Sequence, residues 1–235
     1  MKCKKDCFFT PNSTYQTNLN EVSVNLRLSA LSSNATRRNG FYTTKAGQDP
    51  PDVVTGRFLC RGDLTPDLCE ICISTAMRDI RNRCPADKVG LIWYDECTLQ
   101  YSNESYLNDQ VPFQILPTTS QNVVELDRFN TLVSTTMKSL ATQSANSQSG
   151  KKFAAEVVNF TSSQRLYCMV QCSPEMDADL CMSCLQSTIG SLPQCCTGKQ
   201  GGKVLLPSSN IRYELFPFYS LTTVFPGPPS LPPGT

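Results

Sequence analysis

The spacing of the cysteines constrains this chain more than any other feature of its sequence. The pattern Cys-x8-Cys-x2-Cys occurs first over Cys60–Cys72 and again over Cys172–Cys184, 112 residues further along. The same displacement carries Cys84 onto Cys196. Four cysteines that match in one register without a gap indicate a duplicated module. Because two copies are too few for a solenoid, the sequence predicts a tandem of two globular modules.

The duplication divides the chain into predicted domains. We expect a first module at residues 1–105, a linker at 106–121 and a second module at 122–220. Residues 221–235 are rich in Pro and Gly, a composition that predicts a disordered, extended tail.

Thirteen cysteines in 235 residues point to structural disulfides, with which extracellular modules supplement thin cores. The chain has no histidine, so a zinc site would need four cysteines. Each Cys-x2-Cys pair has a further cysteine nine residues upstream, which a shared zinc site would not need. A thioredoxin-like redox motif would need its pair at a helix start, whereas Cys69 and Cys72 fall inside a predicted helix. Because 13 is odd, at least one thiol is free or pairs between molecules.

The positions of three cysteines favour particular bridges. Cys69 and Cys72 lie three residues apart on one helix face, so each sulfur can reach a different strand. Cys60 ends a predicted strand beside the helix start, which favours a Cys60–Cys69 bridge, and Cys72 can then reach a closing hairpin at Cys97. Each such bridge typically contributes about 2–4 kcal/mol.

The two copies do not carry the same cysteines. Cys97 aligns with Ser209, so the second copy lacks one bridge position. The unmatched cysteines are Cys3 and Cys7 in the first copy and Cys168 and Cys195 in the second. We therefore predict that the second module is the less stable or more redox-sensitive half.

Each copy reads as a helix, a strand, a cysteine-rich helix and a closing hairpin. Apolar spacing predicts a helix near Leu19–Leu31 that ends by Gly40 and residues 42–44. Thr65 is the expected N-cap, and Pro66 the first-turn residue, of a helix that runs to Arg83. The other predicted elements are the strands Val53–Cys60, Val89–Tyr94 and Thr98–Tyr101, the helices Glu125–Thr142 and Ala178–Ser191, and the strands Arg165–Gln171, Lys203–Leu206 and Asn210–Leu215.

Charge and composition argue against several function classes. With 21 basic and 20 acidic residues, no nucleic-acid partner is expected. No apolar run approaches the roughly 18 residues of a membrane helix, so membrane attachment would need a helix outside this chain. The lack of histidine removes the usual general base, and the neighbours Asp95 and Glu96 point to opposite strand faces. We predict no catalytic residue, no cofactor and no metal site.

The sequence permits secretion. Its N-terminus has no apolar run after the first charges, so a mature chain or a fragment without its leader is expected. A cytosolic zinc protein is the competing interpretation. The glycosylation acceptors are Asn12, Asn34, Asn103 and Asn159.

Longer motifs around these cysteines carry a family resemblance. They are Gly90–Cys97 (GLIWYDEC) with Gln100–Asn103 (QYSN), and Gly201–Pro207 (GGKVLLP) with Arg212–Phe218 (RYELFPF). Together with Cys-x8-Cys-x2-Cys, they resemble the plant ginkbilobin-homologous domain. This is the tandem salt stress response/antifungal module of cysteine-rich receptor-like kinase ectodomains and cysteine-rich secretory proteins.

The resemblance implies an α+β fold in which each module packs two helices on a five-stranded antiparallel sheet. The implied bridges are Cys3–Cys84, Cys60–Cys69 and Cys72–Cys97 in the first module, with Cys7 left over, and Cys172–Cys181 in the second. Cys184 then faces Ser209 and has no partner. For Cys196 the alternatives are a substitute partner, Cys168 or Cys195, or a vicinal bridge between Cys195 and Cys196.

The founding antifungal lectin of the family binds mannose through an Asn, an Arg and a Glu. The Arg position corresponds to Leu91 in the first module and Lys203 in the second, and the Glu position to Ser102 and Glu214. Only Lys203 and Glu214 therefore keep the charges of a sugar site, and an ordinary cross-strand ion pair would also explain them.

The resemblance implies an extracellular, non-enzymatic interaction module of a stress- or defence-related receptor-like kinase or secreted protein. The alternative function is a mannose-binding antifungal lectin. The expected partner is a protein or carbohydrate in the apoplast or at the outer face of the plasma membrane, with homo- or hetero-oligomers as a further expectation.

Overall fold

The computed structural model describes residues 29–47, 53–83, 89–102 and 114–224. The end of the predicted first helix is seen as helical residues 29–33, and its remainder lies outside the described residues.

The first module packs a helix, α1 (Pro66–Arg83), on one face of an antiparallel sheet. Its strands are β1 (Phe41–Ala46), β2 (Val54–Cys60), β3 (Val89–Trp93) and β4 (Cys97–Ser102), in the order β1-β2-β4-β3. The helix begins where the sequence predicts, because Pro66 suits the first turn and Thr65 Oγ1 accepts a hydrogen bond from the Leu68 amide at 3.4 Å.

The second module packs helices on a five-stranded antiparallel sheet in the order β5-β8-β9-β7-β6. Its strands are β5 (Gln114–Pro117), β6 (Phe153–Asn159), β7 (Arg165–Cys172), β8 (Gly202–Leu205) and β9 (Ser209–Glu214). Its helices are α2 (Leu126–Ala145), α3 (Ala178–Ser191), α4 (Pro193–Cys196) and α5 (Leu221–Val224).

The topology repeats in the same register as the cysteines. A shift of 112 residues carries β1–β4 onto β6–β9 and α1 onto α3, and the order of these four strands is the same in both sheets. The strand that would match β5 falls at residues 2–5, outside the described residues. The α+β class and the two-module architecture are confirmed.

Three strands differ from the sequence expectation. β1 and β6 occupy segments to which no strand was assigned, because their alternation of apolar and polar residues is short and weak. β5 lies inside the predicted linker 106–121. Its four residues hold their place by backbone pairing with β8, and Thr118 N extends this pairing to Gly201 O at 3.1 Å. Such edge pairing leaves little mark on hydrophobic periodicity.

The predicted tail, residues 221–235, is folded at its start. Residues 221–224 form α5, and Ser220 Oγ accepts a hydrogen bond from the Thr223 amide at 3.4 Å at its start. Tyr219 just before it is buried, and its hydroxyl donates to Glu156 O at 2.8 Å. These contacts anchor the segment on the second sheet, and residues 225–235 lie outside the described residues.

Each module has its own core between helix and sheet. In the second module Phe129 of α2 is fully buried, and its ring lies 4.9 Å from the ring of Phe160 and 5.9 Å from that of Tyr213. In the first module the buried side of α1 consists of Cys69, Cys72, Ile73, Ala76, Met77 and Ile80. Two separate cores explain why the chain reads as two modules.

Three of the four disulfides among the described residues join a helix to a sheet. The structure contains the bridges Cys60–Cys69 and Cys72–Cys97 in the first module and Cys172–Cys181 and Cys195–Cys196 in the second. The first three are the pairings that the resemblance implies, and the fourth is its vicinal alternative. Cys3, Cys7 and Cys84 lie outside the described residues, so the Cys3–Cys84 bridge stays a prediction.

The free cysteines of the described residues both lie in the second module. Cys184 occupies the position of Cys72, and its Sγ lies 3.0 Å from Ser209 Oγ, where the first module has a bridge. Cys168 is fully buried, and this burial raises the pKa of its thiol. Cys168 is therefore a poor nucleophile, whereas Cys184 is partly exposed.

We predict that Ser209→Cys restores the missing bridge to Cys184. The two positions repeat those of Cys72 and Cys97, whose Cα atoms are 6.1 Å apart. Thiol titration of the unfolded, unreduced protein should no longer detect the thiol of Cys184. The free energy of unfolding should rise by about 2–4 kcal/mol. Ser209→Ala is the matched control, because it should keep the thiol and gain no stability. An undiminished thiol count in Ser209→Cys would contradict the prediction.

Candidate functional site between the two modules

The modules contact each other through the sheet faces that do not carry the main helices. In the first module Phe58 and Leu99 belong to the core under α1, so their chain neighbours Leu59 and Thr98 point to the opposite face. Leu59 and Thr98 line a narrow cleft together with Met169 of the second sheet. The seam between the modules is thus formed by sheet side chains.

A loop of the first module, residues 61–65, is the main element of this seam. It connects β2 to α1 and is closed by the Cys60–Cys69 bridge. The fully buried carboxamide of Gln171 donates to Cys60 O at 2.9 Å and accepts from Gly62 N at 3.3 Å. Lys151 Nζ donates to Gly62 O at 2.7 Å. Through these contacts, side chains of the second module form hydrogen bonds with the backbone N–H and C=O groups of the loop.

Gly62 and Asp63 show how closely the modules approach. A Cβ atom on Gly62 would overlap the ring of Phe153, so only glycine fits there. Asp63 is almost fully buried and accepts hydrogen bonds from Arg61 Nη2 at 3.0 Å and from Ser220 N at 2.8 Å. The loop is therefore held by β6 and by the end of the second module.

An ion cluster lies at one end of the seam. Asp95, in the turn between β3 and β4, pairs with Lys203 Nζ at 2.9 Å and Arg212 Nη1 at 3.4 Å. Burial favours the neutral form of Asp95, but the hydrogen bonds and charges of the two cations outweigh it, and the pKa of Asp95 lies below its ordinary value. At another point of the seam, Arg57 Nη1 pairs with Glu175 at 3.1 Å.

Glu214 belongs to the same cluster but is inaccessible. Its side chain is 1% exposed, and it accepts from Arg212 Nε at 2.8 Å and from Thr118 Oγ1 at 2.9 Å. Burial raises the pKa of Glu214, although Arg212, Thr118 and Lys203 partly compensate. Gly201 lies so close that a Cβ there would overlap the carboxylate. Both carboxylate oxygens of Glu214 are thus occupied by protein groups.

The predicted sugar residues therefore meet in one cluster but do not contact each other. The cross-strand partner of Lys203 is Arg212, which contacts both Asp95 and Glu214. Sequence reasoning missed Arg212, although its spacing of two residues from Glu214 on a strand places both on one sheet face. The first-module counterparts Leu91 and Ser102 are buried.

Comparison with known proteins decides the family. Residues 2–104 and 117–215 match the family described as salt stress response/antifungal. The chain belongs to this family.

Several relatives that the chain matches are receptor-like kinases of a plant. The chain is 39% identical to cysteine-rich receptor-like protein kinase 25 of Arabidopsis thaliana over 99% of its own length, and 42% identical to kinase 5 over 94%. It spans about a third of the length of these two relatives, 34% and 33%. It is also 37% identical to putative cysteine-rich receptor-like protein kinase 9 and covers 84% of that protein.

Solved structures of the tandem DUF26 ectodomain share the fold. The ectodomain of the Arabidopsis thaliana protein PDLP8 superposes with a TM-score of 0.69 at 21% identity, covering 86% of this chain and 94% of that one. The PDLP5 ectodomain gives 0.67 at 23% identity, with coverages of 87% and 95%. The two structures show the shared fold, and the predicted extracellular location, in the apoplast or at the outer face of the plasma membrane, agrees with the receptor-like kinases that the chain matches.

Three of the four cysteines in the two Cys-x2-Cys pairs are engaged in disulfides, and the fourth, Cys184, is free. The sulfurs of Cys69, Cys72 and Cys181 are all bridged. Within residues 29–47, 53–83, 89–102 and 114–224, no three metal-ligating side chains come together as a possible ion site. In the same residues no helix combines the length and apolarity needed to span a bilayer.

The glycosylation acceptors differ in accessibility. Asn159 ends β6 and is exposed. Asn34 is half-buried, and its Nδ2, the atom that would carry the glycan, donates to Ala30 O at 2.9 Å, while its Oδ1 accepts from Arg37 Nε. Asn12 and Asn103 lie outside the described residues.

We predict that, of Asn34 and Asn159, a secretory host modifies Asn159 more fully. Modification of Asn34 would require its hydrogen bond to Ala30 to break, whereas Asn159 presents its amide to solvent. Glycopeptide mass spectrometry should find Asn159 at high occupancy and Asn34 at several-fold lower occupancy. Asn159→Gln should remove the corresponding mass, and preferential occupancy of Asn34 would contradict the prediction.

We also predict that Asp95→Asn lowers the free energy of unfolding at neutral pH by less than about 1 kcal/mol, since the side chain is 41% exposed. The folded-state pKa of Asp95 is depressed, so its stabilisation is present above the unfolded value near 4 and is lost as pH falls through the folded value.

Denaturant unfolding from pH 7 to about pH 2 tests this prediction. The difference between wild type and Asp95→Asn should shrink as the pH falls. Asp95→Asn combined with Lys203→Met should cost less than the sum of the single changes. Additive effects, or a difference that is independent of pH, would contradict an ionic role of Asp95.

Proposed function

We propose that this chain is an extracellular recognition unit of the cysteine-rich receptor-like kinase type, or of a secreted relative, in stress or defence. It acts by binding rather than by catalysis. The observation that carries the proposal is the docking of the two modules through Gln171 and the disulfide-closed loop 61–65. Buried, mutually satisfied contacts of this kind hold two modules in one orientation, which suits recognition of a partner larger than either.

A protein is the favoured ligand, and self-association or pairing with a related ectodomain is the simplest case. Formal charge of +1 gives no support for a nucleic-acid partner. A recognition surface that extends over both modules would depend on their relative orientation. The affinity for such a ligand therefore depends on the seam even where the ligand touches none of its residues.

Mannose binding is the alternative function. It is less favoured because Lys203 and Glu214 are already engaged in ion pairs within the protein. Lys203 is bound to Asp95 of the other module, and Glu214 is buried against Arg212 and Thr118. A sugar that used these side chains would have to break the ion cluster and bring the buried carboxylate of Glu214, now 1% exposed, into contact with solvent. The cost of leaving such buried groups without partners is about 1–3 kcal/mol each.

The proposal can be tested by measuring how a substitution in the seam changes binding. The oxidised chain is immobilised and presented with purified plant extracellular proteins, including receptor ectodomains and the chain itself, and binding is followed by interferometry. Saturable binding to at least one is expected. Gln171→Glu puts a carboxylate next to Cys60 O and should weaken that binding at least tenfold.

Gln164→Glu is the matched control, because Gln164 is exposed in the turn before β7, and it should keep the affinity. An affinity unchanged by Gln171→Glu would mean that one module suffices, and no binding at all would overturn the proposal. A glycan array separates the alternative: saturable mannose binding that Glu214→Ala abolishes would favour the lectin function instead.

A further inference from the structure

A pocket opens on the helical side of the second module, on the opposite side of its sheet from the seam. It lies between α2, α3 and α4, above Tyr213 of β9. Its volume is about 210 Å³. An apolar cavity of about 150 Å³ is enough to take up benzene, so this pocket has room for one six-membered ring with a substituent.

The lining of this pocket, which we call the α2–α4 pocket, is apolar on most sides and carries no charge. Val133, Ile189, Leu192 and Pro193 form its apolar walls, and Tyr213 forms its floor. Because no acidic or basic side chain lines the pocket, an ionised ligand would lose its hydration without gaining a counter-charge. The lining therefore favours a neutral ligand.

Polar atoms gather on the α2 side of the pocket. Asn130 Oδ1 accepts a hydrogen bond from Gly198 N at 3.1 Å, which leaves its NH2 group to donate. Within the described part of the chain, neither this NH2 group nor the hydroxyl of Ser134 has a protein partner. Both lie one helical turn apart on α2, so one acceptor atom of a ligand can receive both donors.

The wall opposite α2 contains the vicinal disulfide Cys195–Cys196. Cys196 lines the pocket, and its carbonyl accepts a hydrogen bond from the Tyr213 hydroxyl at 2.8 Å. Its sulfur would be 2.8 Å from a Cβ placed on Gly202, so β8 packs directly behind it. The buried hydrogen bond and the packing against β8 hold this wall in place without a ligand, which lowers the cost of binding.

We propose that the α2–α4 pocket binds a small neutral ring compound that carries one hydrogen-bond acceptor. The ring lies against Val133, Ile189 and Leu192, and the acceptor oxygen receives hydrogen bonds from Asn130 Nδ2 and the Ser134 hydroxyl. This site is separate from the seam and does not rest on the proposed recognition function.

Acetophenone is a suitable probe, because it combines one aromatic ring with one carbonyl acceptor and no charge. Titration of the intact, oxidised chain is followed by methyl NMR. Saturable shifts are expected at the methyl groups of Val133, Ile189 and Leu192, with a dissociation constant in the millimolar range or below. Benzoate has the same ring and a charge, and we expect it to bind at least tenfold more weakly.

Two variants localise the binding. Ser134→Phe places a ring in the pocket from a half-buried position and should weaken acetophenone binding at least tenfold. Thr135→Phe adds the same ring at the next, exposed position and should leave binding unchanged. Unchanged methyl signals in the first module, and in the second module away from the pocket lining, will show that both variants are folded. Absence of saturable shifts up to about 10 mM acetophenone, equal binding of benzoate, or binding that survives Ser134→Phe would each overturn the proposal.

Discussion

In each module a disulfide spanning nine residues ties the end of a central strand to the first turn of the cysteine-rich helix. Removing such a bridge typically costs about 2–4 kcal/mol, but in the first module it also shapes the loop 61–65. That loop turns its backbone carbonyls and amides outward, and Gln171 and Lys151 of the second module bind them. The orientation of the two modules therefore depends on a covalent closure that lies entirely within one of them.

The duplication has been used asymmetrically. The first module supplies the loop 61–65 and Asp95, whereas the second supplies the buried amide of Gln171 and the cations that bind them. Residue Gln171 stands where the first module has Leu59, and Lys203 stands where it has Leu91. An ancestral repeat with identical sheet faces could not form this seam, because polar groups on one face need complementary groups on the other. The divergence of these positions is what makes the tandem a single unit.

The sequence predicted the elements whose signals are local. Thr65 and Pro66 mark the start of α1, and the cysteine register reveals the repeat. β5 was missed because Gln114–Pro117 depends on pairing with a strand some 90 residues later. Arg212 was missed, because burial and ion pairing follow from tertiary packing. The resemblance pointed to Lys203 and Glu214, but only the fold shows that Asp95 and Arg212 are their ion-pair partners.

The hydrogen bond from Ser220 N to Asp63 has a mechanical consequence. Ser220 immediately precedes α5, the last described element, while Asp63 belongs to the loop of the first module. The point at which the chain leaves the described fold is thus tied to both modules at once. A rotation of one module against the other must stretch this link or carry α5 along with it. The orientation of α5 is therefore coupled to the angle between the two modules.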